Sequence, residues 1–335
     1  MKRAAALLMV LGFTGCALGP IPRRPAVSVP PRWSGGLLGP VTEQWWKSFH
    51  DPQLESLISR AVAANLDLQV AAARVEEARA IRGFVRSNGL PQVSAAASAT
   101  RNRQMVLGVA PSPMPLETNL FQGRFDMSWE ADVFGRIRRQ LQSATADLAA
   151  QEEDRRDVLI TLLGDVATNY VQVRGFQLQL RIADRNISIQ QETLDLTRSL
   201  AAAGQATERD VAQAEAQLES TRAAVPRLET GREVSLHRLG VLLGSEPGSL
   251  TWELAGISPL PVVPKAIPVG LPSELLERRP DIRRAEAQLA AATARVGEAK
   301  ADYFPRFSLT GAAGRQSIQL HLLTLGPGNG ICLPG

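Results

Sequence analysis

Between Arg136 and Ala203 the chain contains no proline, and its apolar residues recur three or four places apart: Leu141, Ala144, Leu148, then Val158, Leu162, Val166, Tyr170, Val173, Leu180, Ala183, Ile187 and Leu194. That spacing keeps one stripe of an α-helix apolar, and at a rise of 1.5 Å per residue an unbroken helix of this extent is roughly 100 Å long. A single globular domain has no use for such a rod. Gly204 supplies a stop, and Thr207 with Asp210 gives the Thr-x-x-acid pattern of a helix start. A second helix then returns through Val211, Ala214, Leu218, Val225, Leu228 and Leu236 to Leu243. Pro226 should kink this helix or mark a break in it. The two make an antiparallel hairpin over about 136–243 with its tip at 199–210. That tip reads equally as the solvated turn of a coiled coil or as a docking surface.

Composition agrees with long helices and thin seams. Of 335 residues, 44% are hydrophobic and 21% charged, which excludes disordered and collagen-like chains, and only 5% are aromatic. Two cysteines, Cys16 and Cys332, are too few for a disulfide framework or a cysteine zinc site. His50, His237 and His321 leave little room for histidine catalysis, and His237 has no partner close in sequence, which favours a surface or seam role. The net charge of +4 comes from interspersed charges without a basic block, so nucleic acid is not the expected partner. Glu76-Glu77 and Glu152-Glu153 read as solvated helix faces near Arg79 and Arg155 rather than acid/base pairs. Gly326-x-Gly328-x-Gly330 has no following helix and no lysine, so it carries no phosphate-binding signal. The chain is not expected to be an enzyme.

The first 15 residues have the form of an export signal: Lys2 and Arg3 are basic, Ala4 to Leu11 form a short apolar run, and Thr14 and Gly15 are small. The run is too short to span a bilayer. Phe13-Thr14-Gly15-Cys16 has the form of a lipobox, with Phe13 in place of the usual aliphatic residue, so Cys16 is the expected lipid-attachment site. Each buried methylene of an acyl chain contributes about 0.8 kcal/mol, enough for several chains to hold the protein on a membrane. Ala17, rather than Asp, follows the cysteine, and by resemblance to the lipoprotein sorting rules this favours the outer membrane. Residues 16–40 hold Pro20, Pro22, Pro25, Pro30 and Pro31 and read as an extended tether.

Sliding the chain against itself gives a gapless match at an offset of 214 residues, in which Asp67, Ala71, Ala73, Ala78, Ala80, Gly83, Pro91 and Ser94 meet Asp281, Ala285, Ala287, Ala292, Ala294, Gly297, Pro305 and Ser308. In both copies a helix leads to a proline that opens an alternating stretch. Phe121, Gly123, Phe125, Met127 and Trp129 alternate with polar residues, as do Val93, Ala95, Ala97 and Ala99, and Phe307 with Leu309. Strands are expected over about 92–101, 122–132 and 306–313, joined in the first case by a loop over 103–120. From alternation alone an ordinary half-buried antiparallel sheet is the commoner case; the export signal and the long helices on either side favour a membrane-crossing sheet.

Several motifs carry a family resemblance: Trp45-Trp46-x-x-Phe49-x-Asp51-Pro52, Asn65-x-Asp67-Leu68, Trp129-Glu130-x-Asp132-x-Phe134-Gly135-Arg136, Asp210-Val211-x-x-Ala214, Leu242-Leu243-Gly244 and, most specific, Leu271-Pro272-Ser273-x-Leu275-Leu276-x-Arg278-Arg279-Pro280-Asp281-Ile282-Arg283 through Phe304-Pro305. Over about residues 41–315 the chain resembles the TolC-like outer-membrane factors, in particular the NodT-type lipoproteins. The resemblance implies an α+β fold of mostly long helices, built from a duplicated unit of helix, two strands and helical hairpin. In that family three protomers share one outer-membrane β-barrel continued by a periplasmic α-helical barrel. It implies a passive exit duct for drugs or other small molecules, working with a periplasmic adaptor and an inner-membrane pump, without cofactor beyond the lipid on Cys16. The tip residues Ala203, Gly204, Gln205, Ala206, Thr207, Glu208, Arg209 and Asp210 are then the candidate adaptor contact. Arg124, Asp126 and Glu130 are candidates for the duct lining, on a face that the sequence does not fix.

The organisation expected is a signal over 1–15, tether over 16–40, first repeat over 41–250, linker over 251–271, start of a second repeat over 272–317 and an aberrant tail over 318–335. Repeat one, from Asn65 to Gly244, is about 120 residues longer than the second copy that begins at Arg279. The tail no longer alternates and reads as a frameshift or premature stop, or as a divergent genuine ending; it gives three strands, not four. The second helical hairpin, which holds the family's aperture residues, has no counterpart here. The rival readings are a periplasmic coiled-coil scaffold or adaptor, and a fragment of the channel without activity.

Overall fold

A computed structural model describes residues 18–26, 28–30, 44–106, 114–263, 271–320 and 329–334. Residues 1–15, Cys16, the whole of the 31–43 stretch, His321, Gly326 and Gly328 lie outside them. In chain order the elements are a 3-10 turn at Trp45–Phe49, α1 (Pro52–Ala64), α2 (Leu66–Ser87), β1 (Gln92–Val106), β2 (Met114–Ala131), α3 (Arg136–Ala202), α4 (Glu208–Leu242), α5 (Pro272–Arg278), α6 (Pro280–Ala301), β3 (Phe307–Ser317) and β4 (Asn329–Pro334). The expected hairpin is thus present as α3 and α4. Pro226 lies inside α4 without ending it. None of the described helices is long and apolar enough to cross a membrane.

The two copies of the repeat align as elements: α2 and α6 are each 22 residues and start at Leu66 and Pro280, the same 214-residue offset read from the sequence. Pro91 and Pro305 come after them, and β1 and β3 open next. Proline disfavours helix for the residue before it and so ends each helical stretch.

The chain divides into two compact units, one of Met1–Pro25, Glu76–Ala150 and Ala285–Gly335, the other of Ala26–Val75 and Gln151–Arg284. The first holds a four-stranded sheet in the order β1-β2-β3-β4, every neighbour antiparallel. The strands are longer than the alternation indicated. β1 and β2 stay paired out to Val106 opposite Met114, so most of the expected 103–120 loop is ladder. Pro115 is accommodated where β2 has β1 on one side and no described strand on the other, since β3 pairs with β2 from Phe121 onwards. The expectation of three strands is also corrected: Asn329–Pro334 pairs with β3 in register Gly311 to Pro334. Its Gly- and Pro-rich sequence has no period of two, and the strand is defined by the ladder that β3 offers rather than by its own pattern.

The second unit is centred on an apolar core of Leu54, Leu57, Ile58 and Ala61 from α1, Leu162, Val166, Tyr170 and Val173 from α3, and Leu236, Leu239 and Leu242 from α4, closed by Leu250 and Leu254. Trp46 and Phe49 pack against it, which accounts for the aromatic start of the resemblance motif. Asp51 accepts from the N–H groups of Gln53 and Leu54 at 2.9 and 3.2 Å, capping α1, and its other oxygen takes the Tyr170 hydroxyl at 2.7 Å. Burial raises the Tyr170 pKa, so the phenol stays a neutral donor. Gly244 closes α4 at φ +65, where a Cβ would stand 2.4 Å from the Ala64 carbonyl oxygen; only glycine fits. Glu153 corrects the solvated-face reading: it is buried and paired with Arg283 at 2.8 Å and Arg156 at 2.6 Å, whereas Glu152 is exposed. Glu76 is exposed and paired with Arg79 as expected, and His237 is exposed.

Candidate functional site: a two-faced sheet, its junction and the hairpin tip

Register decides what alternation alone left open. Directly opposed residues of an antiparallel ladder share a face. One face therefore carries the rows Ala131 and Phe307; Trp129 and Leu309; Val93, Met127 and Gly311; Ala95, Phe125 and Ala313; Ala97, Gly123 and Arg315; Ala99, Phe121 and Ser317. The other carries Glu130 and Ser308; Gln92, Ser128 and Thr310; Ser94, Asp126 and Ala312; Ala96, Arg124 and Gly314; Ser98, Gln122 and Gln316. The first face is apolar apart from Arg315 and Ser317, with Val93, Phe125, Phe307 and Leu309 all more than half exposed. The second is polar and holds Arg124, Asp126 and Glu130 together, Arg124 pairing with Asp126 at 3.0 Å. From Ala131 to Phe121 the apolar face runs about 33 Å along the strand; at the tilt of about 40° usual in membrane barrels that length corresponds to about 25 Å of height, matching the apolar band of such barrels. Beyond it, Arg101 and Arg103 flank Glu117 at 2.5 and 3.7 Å.

The junction between sheet and helices explains the Trp129 to Arg136 motif residue by residue. The Trp129 indole donates to the Gly89 carbonyl at 3.1 Å. Glu130 takes both arms of Arg136 at 3.0 and 2.7 Å. Asp132 accepts from the N–H groups of Ile137 and Arg138 at 3.1 and 2.9 Å, satisfying donors that the first turn of α3 cannot satisfy itself. Phe134 stacks on Phe304 with ring centroids 4.7 Å apart, and Gly135 takes φ +81 at the corner. The motif is a rigid corner that aims α3 away from the strand.

At the tip, Gly204 takes φ +75, the Gln205 N–H reaches the Leu200 carbonyl at 2.9 Å and the Gly204 N–H reaches that of Ala201 at 2.9 Å. This is the paired bond pattern of a glycine-terminated helix. Thr207 and Asp210 form a reciprocal capping box: the Thr207 N–H and hydroxyl donate to Asp210 at 2.9 and 2.7 Å, and the Asp210 N–H donates to the Thr207 hydroxyl oxygen at 3.3 Å. The Thr207 N–H and hydroxyl hold the Asp210 carboxyl below its ordinary pKa. Of residues 203–210 only Ala206 is partly covered. The result is a stiff, solvent-facing loop, rigid in backbone and open in side chains. Both ends of the tip were legible as a Gly stop and a Thr-x-x-Asp start. The buried cap Asn65 was not: its amide donates to the Leu242 carbonyl at 3.0 Å and accepts from the Leu68 N–H at 2.8 Å, and nothing local in the sequence points across the chain to Leu242.

Comparison with known proteins agrees with this geometry. Residues 57–245 and 271–328 match the family model described as outer membrane efflux protein. The chain is 34% identical over 304 residues to nodulation protein T of Rhizobium leguminosarum bv. trifolii, covering 90% of this chain and 64% of that protein. It is 34% identical over 329 residues to the pyoverdine export outer membrane protein OpmQ of Pseudomonas aeruginosa, covering 92% of this chain and 67% of that protein. Among solved structures, the outer-membrane channel OprN superposes with a TM-score of 0.87 at 38% identity, over 96% of this chain and 72% of that one. The chain therefore spans about two thirds of the length of the relatives it matches.

Proposed function

Because this chain belongs to the outer membrane efflux protein family, and is an outer-membrane protein with periplasmic helices, we propose that it is a wall segment of a passive exit duct for small molecules. The observation that carries the reading is the sheet with one apolar and one polar face. Four strands with two open edges cannot stand alone in hydrocarbon, where every unpaired N–H and C=O is costly. The sheet closes by pairing with the same sheet of further copies, three in all, which puts Phe121, Phe125 and Phe307 towards lipid and Gln122, Arg124, Asp126 and Glu130 towards water. The α3–α4 hairpin is a periplasmic part of the chain, and its tip at 203–210 meets a periplasmic adaptor that links the duct to an inner-membrane pump. Rigid caps on both sides of the tip support this role: they present Gln205, Glu208 and Arg209 from fixed backbone at little entropic cost. Cys16 carries covalent lipid that holds the chain on the outer membrane.

No step of chemistry is needed. Substrate leaves down its own gradient through water, and the residues act by setting width and charge; alternating Arg124 and Asp126 leave the wall near neutral, suited to solutes of mixed charge. Reconstitution of the purified protein in planar bilayers should give discrete conductance steps. A protein recovered as a soluble monomer after urea washing of membranes, with no conductance, would favour the periplasmic scaffold instead.

A further inference from the structure

Arg139 is the least expected buried group in the sheet-bearing unit. It sits in the first turn of α3 at 6% exposure, where an arginine head must be fully hydrogen-bonded to be tolerated. Its partners include the main chain of the N-terminal segment: Nε donates to the Leu18 carbonyl at 2.8 Å and Nη2 to the Gly19 carbonyl at 3.2 Å, while Nη1 reaches Gln142 at 2.8 Å. The Leu18 N–H adds a long contact to the Phe134 carbonyl at 3.4 Å. Gly19 takes φ +105 and lies back to back with Gly297 of α6, where a Cβ on Gly19 would stand 2.4 Å from the Gly297 Cα. A Cβ on Gly297 would in turn meet the Leu18 carbonyl oxygen at 2.8 Å and the Arg139 Nε at 2.9 Å. Further along, Arg24 pairs with Glu286 at 3.5 Å. The segment expected to be an extended tether has no helix or strand over residues 18–26, and it is seated at Leu18 and Gly19.

Gly83, the equivalent of Gly297 in the first repeat, has nothing within 4 Å of where its Cβ would be. The helix glycine is thus used as a close-approach site in one copy only, the one beside the N-terminal segment.

We propose that Arg139 and Gly297 form a seat for the main chain directly after Cys16, so that the lipid anchor is delivered at a fixed point beside the sheet. Two residues of chain span at most about 7 Å, and the seat lies at the corner where β2 turns into α3 and α6 leads to β3. In a membrane-spanning sheet that corner is the periplasmic surface of the bilayer, the level at which acyl chains on Cys16 enter. The anchor is then part of the wall's geometry rather than a leash, and it orients each copy against the bilayer before sheets from different copies meet. The anchoring role rests on lipidation of Cys16, as in the proposed function; the seat does not.

The test uses the full chain in outer-membrane vesicles, with Cys332→Ser and a nitroxide placed on Ile21→Cys, a position 77% exposed. Gly297→Ala and Arg139→Ala should raise label mobility by at least about threefold, on the nanosecond scale such spectra report, while Gly83→Ala leaves it at the parent value. The mass of the tryptic peptide ending at Arg23 should show the acyl chains in all variants. Unchanged mobility in both seat variants, or an equal rise in Gly83→Ala, overturns the seat. A peptide without acyl chains overturns the anchoring role whatever the mobility shows.

Discussion

The two copies of the helix-strand unit share length and register yet are held by different chemistry. α2 begins at a buried amide, Asn65, 3% exposed and bonded across the unit to the end of α4. At the equivalent place α6 begins with an exposed ion pair, Arg279 to Asp281 at 2.6 Å, next to Pro280. Downstream, β1 has β2 on one side, while β3 lies between β2 and β4. The duplicated sequence specifies the element; what the element is fastened to is decided by chain outside the repeat. Duplication therefore preserves fold at low cost in sequence while each copy acquires its own partners.

The largest effect should come from Asn65→Ala. It strands the Leu242 carbonyl and the Leu68 N–H together, and should cost about 2–4 kcal/mol, read as a lower denaturant midpoint for the helical unit. Wild-type stability in this variant would mean that the two copies start alike after all. Next is the sheet. A Cβ on Gly314 would meet the Gly123 carbonyl oxygen at 2.6 Å, whereas one on Gly311 meets nothing within 4 Å. Gly314→Ala should therefore cost about 1–3 kcal/mol through displaced backbone, lowering the melting temperature of the assembled protein, with Gly311→Ala near neutral.

The start of α4 lies between these two regimes, exposed like the Arg279 pair but reciprocally hydrogen-bonded. Its acid is held below the ordinary carboxylate range, so the box is fully formed above the unfolded value near pH 4 and is lost as pH falls through the lower folded value. Amide exchange at residues 208–211 should be flat from pH 7 down to about 4, after allowance for intrinsic rates, and accelerate only below that. Thr207→Ala removes protection at neutral pH. Exchange that accelerates already between pH 7 and 5 would rule out the aspartate as the cap. The smallest effect should be Arg279→Gln, because its ion pair is solvent-exposed and screened by salt; a shift matching that of Asn65→Ala would erase the distinction drawn between the copies.

Much of this architecture can be read before any coordinates. Helical spacing from Leu141 to Leu194, the Gly204 stop and the Thr207 start are local signals, because each rests on bonds within a few residues. Alternation from Phe121 to Trp129 announces a strand for the same reason. What stayed hidden is what depends on a partner. β4 borrows its conformation from β3; the ladder beyond Arg101 is imposed by β2; buried Glu153 pairs with Arg283, which arrives from elsewhere in the chain, as well as with the nearby Arg156. Leu18 and Gly19 look like linker because proline-rich composition speaks of the unbound chain, and Arg139 looks like one more surface charge at a helix start. The proposed lipid-attachment residue Cys16 and the proposed adaptor tip differ in the same way: the cysteine is read from processing signals that no fold displays, while the backbone of the tip is set by caps whose geometry is explicit.

The central claim is that β2 presents one face to lipid and the other to water. Single cysteines along it, in a Cys332→Ser chain kept in the outer membrane, measure this directly. Gln122, Arg124, Asp126 and Ser128 as cysteines should react with a membrane-impermeant thiol reagent, and Phe121, Phe125 and Met127 as cysteines should be protected, giving a reaction rate that alternates residue by residue. A flat profile, or one in phase with the aromatic residues, would contradict the account.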